Sequence, residues 1–275
     1  MREIVMSKKR SKLAPTARRF LAAMAEENKR VFSLEEAIPY WSSPHMVRKA
    51  LSRLERNGWL ERLERGVYLI VPLEAGPQGR WSEDPLAIAA QIAPKGAIGY
   101  WTALHYWGMT EQIPRTTFVQ ITRRRSQPRV TILGMRFQFI MVVDRKFFGE
   151  VQQTSDGLPF RITDREKSIV DACDRPDLSG GALQIAQALQ SVETIDWRKL
   201  DAYLMRMDSG AIYKRLGYLV DSLELPIPDR EERLNRWREA ITKGIATLDP
   251  GGDNNGRIDT FWRIRVNVAT LEESR

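Results

Sequence analysis

Apolar residues recur at three- and four-residue steps in "SKLAPTARRFLAAMAEEN" (11–28). Leu13, Ala17, Phe20, Leu21 and Met24 share one side there and predict a helix. A second, short helix is predicted at "SLEEAIPYW", where Ser33 and Glu36 have the spacing of a capping box. Ser43 is placed to cap a third helix, with Pro44 in its first turn, where a missing N–H costs nothing. At 100° per residue, Val47, Ala50, Leu51 and Leu54 fall on one side of that third helix. His45, Arg48, Lys49, Ser52 and Arg56 fall opposite, with Arg53 on their flank. Gly58 supplies the left-handed residue that ends the helix after Asn57. Trp59 and Leu60 lead into a strand, Glu64-Arg65-Gly66 makes the turn, and "VYLIV" returns. Helix, helix, basic helix, hairpin is the order of a winged helix-turn-helix, whose third helix is sized for a major groove.

The pattern changes after "EAGPQGRWSEDP", a stretch rich in Gly, Pro and polar residues that predicts a linker, set at 74–82. Ser82 is the predicted cap of a helix through "DPLAIAAQIA". "GYWTALHYWGMTEQIP" (99–114) predicts a helix with Trp101, Leu104, Trp107 and Met109 toward the core and a turn at Gly108. Alternation then predicts strands in "TTFVQITRRR", on both sides of Leu133-Gly134, and in "GEVQQT" and "LPFRI". Thr163 and Glu166 have capping-box spacing before a helix that buries Ile169, Val170 and Cys173. Further helices are predicted in "LSGGALQIAQALQ", "DWRKLDAYLMRM", "GAIYKRLGYLVDSL" and 229–243, and "DTFWRIRVNV" predicts a terminal strand that extends the earlier sheet. The expected fold is α+β. Residues 1–73 form a winged helix-turn-helix with a short basic arm. Residues 83–275 form a second domain of mixed, largely antiparallel sheet and helices, strand-rich over 99–162, helical over 163–243, with a strand near 259–268.

Charge sharpens this division. Residues 1–72 hold 15 Lys and Arg against 8 Asp and Glu, a net of +7 in a chain of 275 residues whose total is +8. A basic first quarter on a near-neutral remainder points to a small module that meets a polyanion. The wing arginines Arg62 and Arg65 are placed to reach phosphates beside the groove, and Lys8, Lys9, Arg10 and Lys12 make the basic arm. Arg123, Arg124, Arg125 and Arg129 form a second basic cluster between strands, an accessory surface for nucleic acid or a partner.

Catalytic chemistry finds little purchase. The only histidines are His45 and His105, neither near a nucleophile motif, and with the single Cys173 they cannot build a Cys/His zinc site. Asp164 and Glu166 suit a helix N-terminus, and Asp174 and Asp177 flank a helix end at Pro176. No Walker A or dinucleotide glycine fingerprint occurs, so neither an enzyme nor a cofactor or metal is expected. One cysteine excludes an intramolecular disulfide and suits a reducing cytoplasm, and no apolar run approaches the ~20 residues of a membrane span.

Three segments carry a resemblance: "YWTALHYWGMTEQIP", "FRITDREKSIVDACDRPDLSGG" and "YKRLGYLVD". With the N-terminal module they are similar, in the same order, to the AbiEi-type antitoxins of bacterial abortive-infection toxin–antitoxin systems, over about 12 to 225. The resemblance implies a winged helix that binds inverted repeats in its own promoter and represses its operon. It also implies a C-terminal body that counteracts a cognate nucleotidyltransferase toxin encoded beside it, a stable complex with the toxin not being required. The DNA contacts it implies are those of the matching basic face: Arg48, Lys49, Ser52, Arg53, Arg56, Arg62 and Arg65. The chain lacks the Gly-Ser…Asp-x-Asp pattern of the nucleotidyltransferases, which makes it the antitoxin side of such a pair. The alternative is a one-component, ligand-responsive transcriptional regulator, in which Trp101, Tyr106 and Trp107 would line a pocket.

Overall fold

Pro15 opens the first helix, α1 (Pro15–Glu26), which buries Ala17, Phe20 and Met24. A three-residue strand that alternation did not predict, β1 (Val31–Ser33), joins it to α2 (Leu34–Ala37). Ser33 Oγ accepts from Glu36 N at 3.3 Å, and Glu36 Oε2 accepts from Ser33 N at 2.7 Å, the capping box read from the sequence. A 3-10 turn over 38–40 leads to α3 (Pro44–Arg56), whose cap Ser43 Oγ accepts from Met46 N at 3.4 Å. Gly58, at φ +72°, releases the chain into β2 (Leu60–Glu64), which turns through Arg65-Gly66 into β3 (Val67–Ile70). The strand order is β1-β3-β2, all antiparallel. This is a winged helix-turn-helix. Phe20, Phe32, Val47, Leu51, Leu54 and Leu60 form its core, with the Phe20 ring edge-on to Phe32 at 4.8 Å.

These elements belong to a computed structural model that describes residues 13–27, 29–71, 84–132, 134–155, 158–192 and 194–269. The predicted basic arm, the predicted linker 74–82 and the predicted cap Ser82 lie outside the described residues. The helix after that stretch, α4 (Pro85–Ile92), is capped by Asp84, whose Oδ1 accepts from Leu86 N at 2.8 Å.

The wing sheet is buried on both faces. Leu63 and Leu69 turn away from the helical core and pack with Ile88 and Ile92 of α4 and with Ile132 and Phe137 of a larger sheet. That sheet has six strands: β4 (Ala97–Ile98), β5 (Thr116–Ile121), β6 (Arg129–Ile132), β7 (Met135–Met141), β8 (Glu150–Ser155) and β9 (Leu158–Thr163). Their order is β6-β7-β5-β4-β9-β8, with β5/β7 and β4/β9 parallel and the other pairs antiparallel. One face carries Val119, Phe137, Phe139 and Ile162 toward α4 and the wing. The other carries Phe118 and Ile140 toward Tyr100 and Leu178. The helix α5 (Tyr100–Tyr106) is shorter than predicted because Gly108, at φ +69°, reverses the chain and returns Met109 to the core beside Leu104. Trp101 and Trp107 are only half-buried.

Helices follow. The first, α6 (Arg165–Asp174), is capped by Asp164, whose Oδ1 accepts from Lys167 N at 2.8 Å, and not by Thr163. Thr163 is the last residue of β9, and its Oγ1 lies 2.8 Å from Ser168 Oγ of α6 instead of taking a first-turn N–H. Glu166 accepts instead from Asp196 N at 3.0 Å. Within α6, Lys167 Nζ is ion-paired to Asp171, whose Oδ2 also accepts from Gln120 Nε2 at 2.6 Å, all three being buried. The chain continues as α7 (Gly181–Ser191), α8 (Trp197–Met207), α9 (Gly210–Ser222) and α10 (Arg230–Glu239), the last ending short of the predicted 243.

The C-terminal strand does not extend the six-stranded sheet. It forms a second three-stranded sheet of β10 (Ala246–Thr247), β11 (Arg257–Asp259) and β12 (Ile264–Val266), in the order β10-β12-β11, and residues 260–263 are turn, not strand. The reason lies in α9, at the segment "YKRLGYLVD". A Cβ on Gly217 would come within 2.6 Å of Trp262 Cε3, so only glycine lets that fully buried indole lie on the helix. Trp262 Nε1 donates to Asp221 Oδ2 at 3.0 Å. Arg215 Nε donates to Thr247 O at 2.9 Å and its Nη1 to Cys173 O at 2.8 Å, while Lys214 Nζ donates to Thr242 Oγ1 at 3.0 Å and to Gly244 O. About two turns of α9 thus hold the terminal sheet and the segment that leads into it.

Candidate nucleic-acid interface

The chemistry of α3 follows from its two faces. Val47, Leu51 and Leu54 are buried, each worth about 1.5–3 kcal/mol of apolar burial, and they fix the rotation of the helix on its core. That rotation leaves His45, Arg48, Lys49, Ser52, Arg53 and Arg56 all exposed. At 100° per residue the first three and Ser52 and Arg56 span an arc of about 100°, with Arg53 at its border. Arg53 and Arg56 also stand in the last turn, where cations suit the helix dipole.

The wing adds Arg62 on β2 and Arg65 at the turn into β3, both exposed. Arg62 lies opposite Tyr68 in the register, on the same face of the wing sheet as the helical core. The opposite face, with Leu63 and Leu69, is closed by α4 and the large sheet, so the hairpin is braced from behind.

The second basic cluster is split by the fold. Arg125 is taken up by the sheet, its guanidinium 4.0 Å above the Phe139 ring and its Nη1 donating to Ile92 O at 3.0 Å. Arg129 pairs with Gln138 in the register, on the face of the sheet opposite the one that meets the wing. Arg123 and Arg124 are exposed in the loop between β5 and β6.

Several features escaped sequence reasoning. Arg18 and Arg19 of α1 are exposed beside the module, a consequence of the helical period that was legible but unread. Lys29 is ion-paired to Glu36, whose carboxyl is held below its ordinary range first by that lysine and then by the Ser33 amide. Met46 is half-exposed next to the basic face, on a groove of about 310 Å³ that it shares with Leu13, Trp41, Lys49 and Arg53. Nothing in the linear pattern announces that groove.

Most of the other candidate groups are held by structural contacts. His45 is exposed on α3, and His105 Nδ1 lies 3.3 Å from Thr110 O. Cys173 is fully buried, and burial pushes its thiol up to about 12. Trp107 Nε1 donates to Thr163 O at 2.7 Å beneath the Arg165 guanidinium, and Tyr106 Oη donates to Gln153 Oε1 at 3.2 Å. Both aromatics thus tie α5 to β8 and β9. Among the described residues no group of three or more His, Cys, Asp or Glu is placed to hold a metal ion, and no helix is long and apolar enough to cross a membrane.

Residues 19–71, which contain α3 and the wing, match the family model described as "Transcriptional regulator, AbiEi antitoxin". No curated protein matches the chain. Among solved structures, the crystal structure of the RV2827C protein from Mycobacterium tuberculosis is similar, with a TM-score of 0.69 at 14% identity over 97% of this chain and 96% of that one. At that identity the likeness is one of fold, and it runs through both the winged helix and the C-terminal body.

Proposed function

We propose that the protein is the antitoxin of a toxin–antitoxin pair, that it binds inverted repeats in its own promoter and represses that operon, and that it counteracts a cognate nucleotidyltransferase toxin. In this reading α3 enters the major groove. Arg48, Lys49, Ser52, Arg53 and Arg56 meet bases and phosphates there, while Arg62 and Arg65 hold the flanking backbone. Residues 1–73 supply the DNA-binding part and residues 83–275 the antitoxic part. The cytoplasm, where promoter and toxin both reside, is the place of action. No catalytic step is assigned to the chain. The single observation that supports the reading best is the exposed cationic face of α3 within a segment that matches an antitoxin regulator family.

Two measurements on the full chain test it. Its own promoter fragment should bind at least tenfold tighter than unrelated duplex of the same length, with affinity falling steeply with salt. Co-expression should restore growth to cells arrested by the product of the adjacent reading frame. Equal affinity for both duplexes, or no rescue, defeats the corresponding half of the proposal.

A further inference from the structure

A groove of about 290 Å³ opens on the body where the turn after α4 meets the loop after β5. The register sets Ala97 opposite Gln120, which brings the turn carrying Lys95 beside Ile121 and Arg123. Lys95 and Arg123 are exposed at its mouth, with Ile92 and Ile121 buried in its wall. Arg125 closes one side from its seat on the Phe139 ring. Ile92 ties the groove to the wing: its side chain packs in the cluster with Leu63 and Leu69, and its carbonyl accepts from Arg125.

Among the described residues that line this groove three are cations and none is an acid. Apolar walls behind charge of one sign concentrate its field. The carbonyls at the end of α4 that would oppose an anion are engaged, Ile92 O by Arg125 and Ala93 O by the Gly96 amide at 2.8 Å. Acids on adjoining segments come with cations of their own. Asp144, exposed beyond β7, stands next to Arg145, and Glu27 and Glu36 share the neighbouring cleft with Lys29 and Arg30. Glu61, on the face of the wing toward the body, is half-buried.

We infer that Lys95 and Arg123 grip the phosphate backbone of the duplex, a contact that the body adds to those of the winged helix. The inference rests on the DNA-binding half of the reading above. Complementary charge is the argument for the occupant, since duplex DNA carries one negative charge per ~1.7 Å of its axis. Reach is the second argument: the wing that meets the duplex with α3 is fixed to this groove through Ile92. Such a contact positions the protein and reads no bases. Arg129, on the opposite face of the sheet, takes no part in it.

Anisotropy titrations of the full chain on its promoter fragment and on unrelated duplex, at several salt concentrations, test it. Lys95→Ala combined with Arg123→Ala should lower the slope of log affinity against log salt by about two. Going from 50 to 200 mM salt should then cost wild type about tenfold more affinity than the variant. Both duplexes should weaken by the same factor, and the thermal midpoint should not move. The swap Lys95→Arg with Arg123→Lys should keep the wild-type slope, because a phosphate asks only for a cation. Arg198→Ala with Lys243→Ala removes the same charge from exposed sites elsewhere on the body and should leave the slope unchanged. An unchanged slope in the first variant, while wild type still prefers its promoter, overturns the contact and leaves the DNA-binding reading intact. An equal drop in the Arg198 and Lys243 pair overturns it too, since net charge and not a contact would then be at work. So does a variant that loses preference for the promoter over unrelated duplex. Failure of wild type to bind DNA removes the reading and this inference together.

Discussion

Replacing Gly217 by Ala separates two rules that give opposite signs. Helix propensity alone favours Ala at an interior position by about 1 kcal/mol. Packing opposes it, because the added Cβ would come within 2.6 Å of Trp262 Cε3, against the 3.5–4.0 Å at which carbon atoms rest. The indole has nowhere to retreat: it is fully buried, its Nε1 is bonded to Asp221 and its own amide to Asp259. Overpacking of a closed core costs about 1–3 kcal/mol, and complete loss of a buried Trp about 3–5. The clash here belongs at the upper end of the first range, so the net expectation is a loss of roughly 2 kcal/mol after the propensity gain. Urea denaturation followed by tryptophan fluorescence should show a lower midpoint at unchanged slope. In a Trp262→Leu background the same substitution should become neutral or stabilising, a coupling on the order of 1–3 kcal/mol. A Gly217→Ala protein that gains stability would refute the seat described for the terminal sheet. Promoter affinity should be unaffected, since α3 packs in a different core from Trp262.

Arg48→Ala or Arg56→Ala should cost about 1–3 kcal/mol of promoter affinity if the residue reads a base. A phosphate contact would instead weaken all duplexes evenly and reduce the salt slope by about one, as anisotropy titrations at several salt concentrations will separate. Lys167→Met should destabilise by roughly 3–5 kcal/mol, because it leaves Asp171 buried with only Gln120 as partner, whereas adding Asp171→Leu should recover much of the loss in thermal melts. The depressed Glu36 carboxyl contributes stability that is fully present above its ordinary value of 4.5 and lost as pH falls through the lower folded value. The midpoint in urea should therefore drop on acidification more steeply for wild type than for Glu36→Gln, and identical curves would remove the Lys29–Glu36 pair from the account.

The winged helix was legible because its signals are local. Ser33, Glu36, Ser43, Pro44 and Gly58 each act within a few residues, and the 3.6 period sorts α3 without knowledge of its neighbours. β1 was not legible: three residues give no alternation, and Ser33 was already spoken for as a cap. Neighbouring candidates also blur, as Thr163 and Asp164 do, because only the end of β9 decides which one caps the helix. Alternation marked the terminal strand but carried no address. Its place is set by contacts far apart in the chain, between Trp262 and Gly217 and between Thr247 and Arg215. The same limit governs the candidate site. The face of α3 could be drawn on a helical wheel, but Arg123, Arg124, Arg125 and Arg129 read as one cluster until strand register and the Phe139 ring part them.

The two-sided burial of the wing has a practical corollary for anyone wishing to transplant the DNA-reading head onto another regulator. Cut free, the hairpin would present Leu63 and Leu69 to water along a strip now shut by Ile88, Ile92, Ile132 and Phe137. Such a graft must either bring α4 along as a lid or carry polar replacements at both leucines. Portability, in this molecule, is decided on the side of the wing that is packed against α4 and the large sheet.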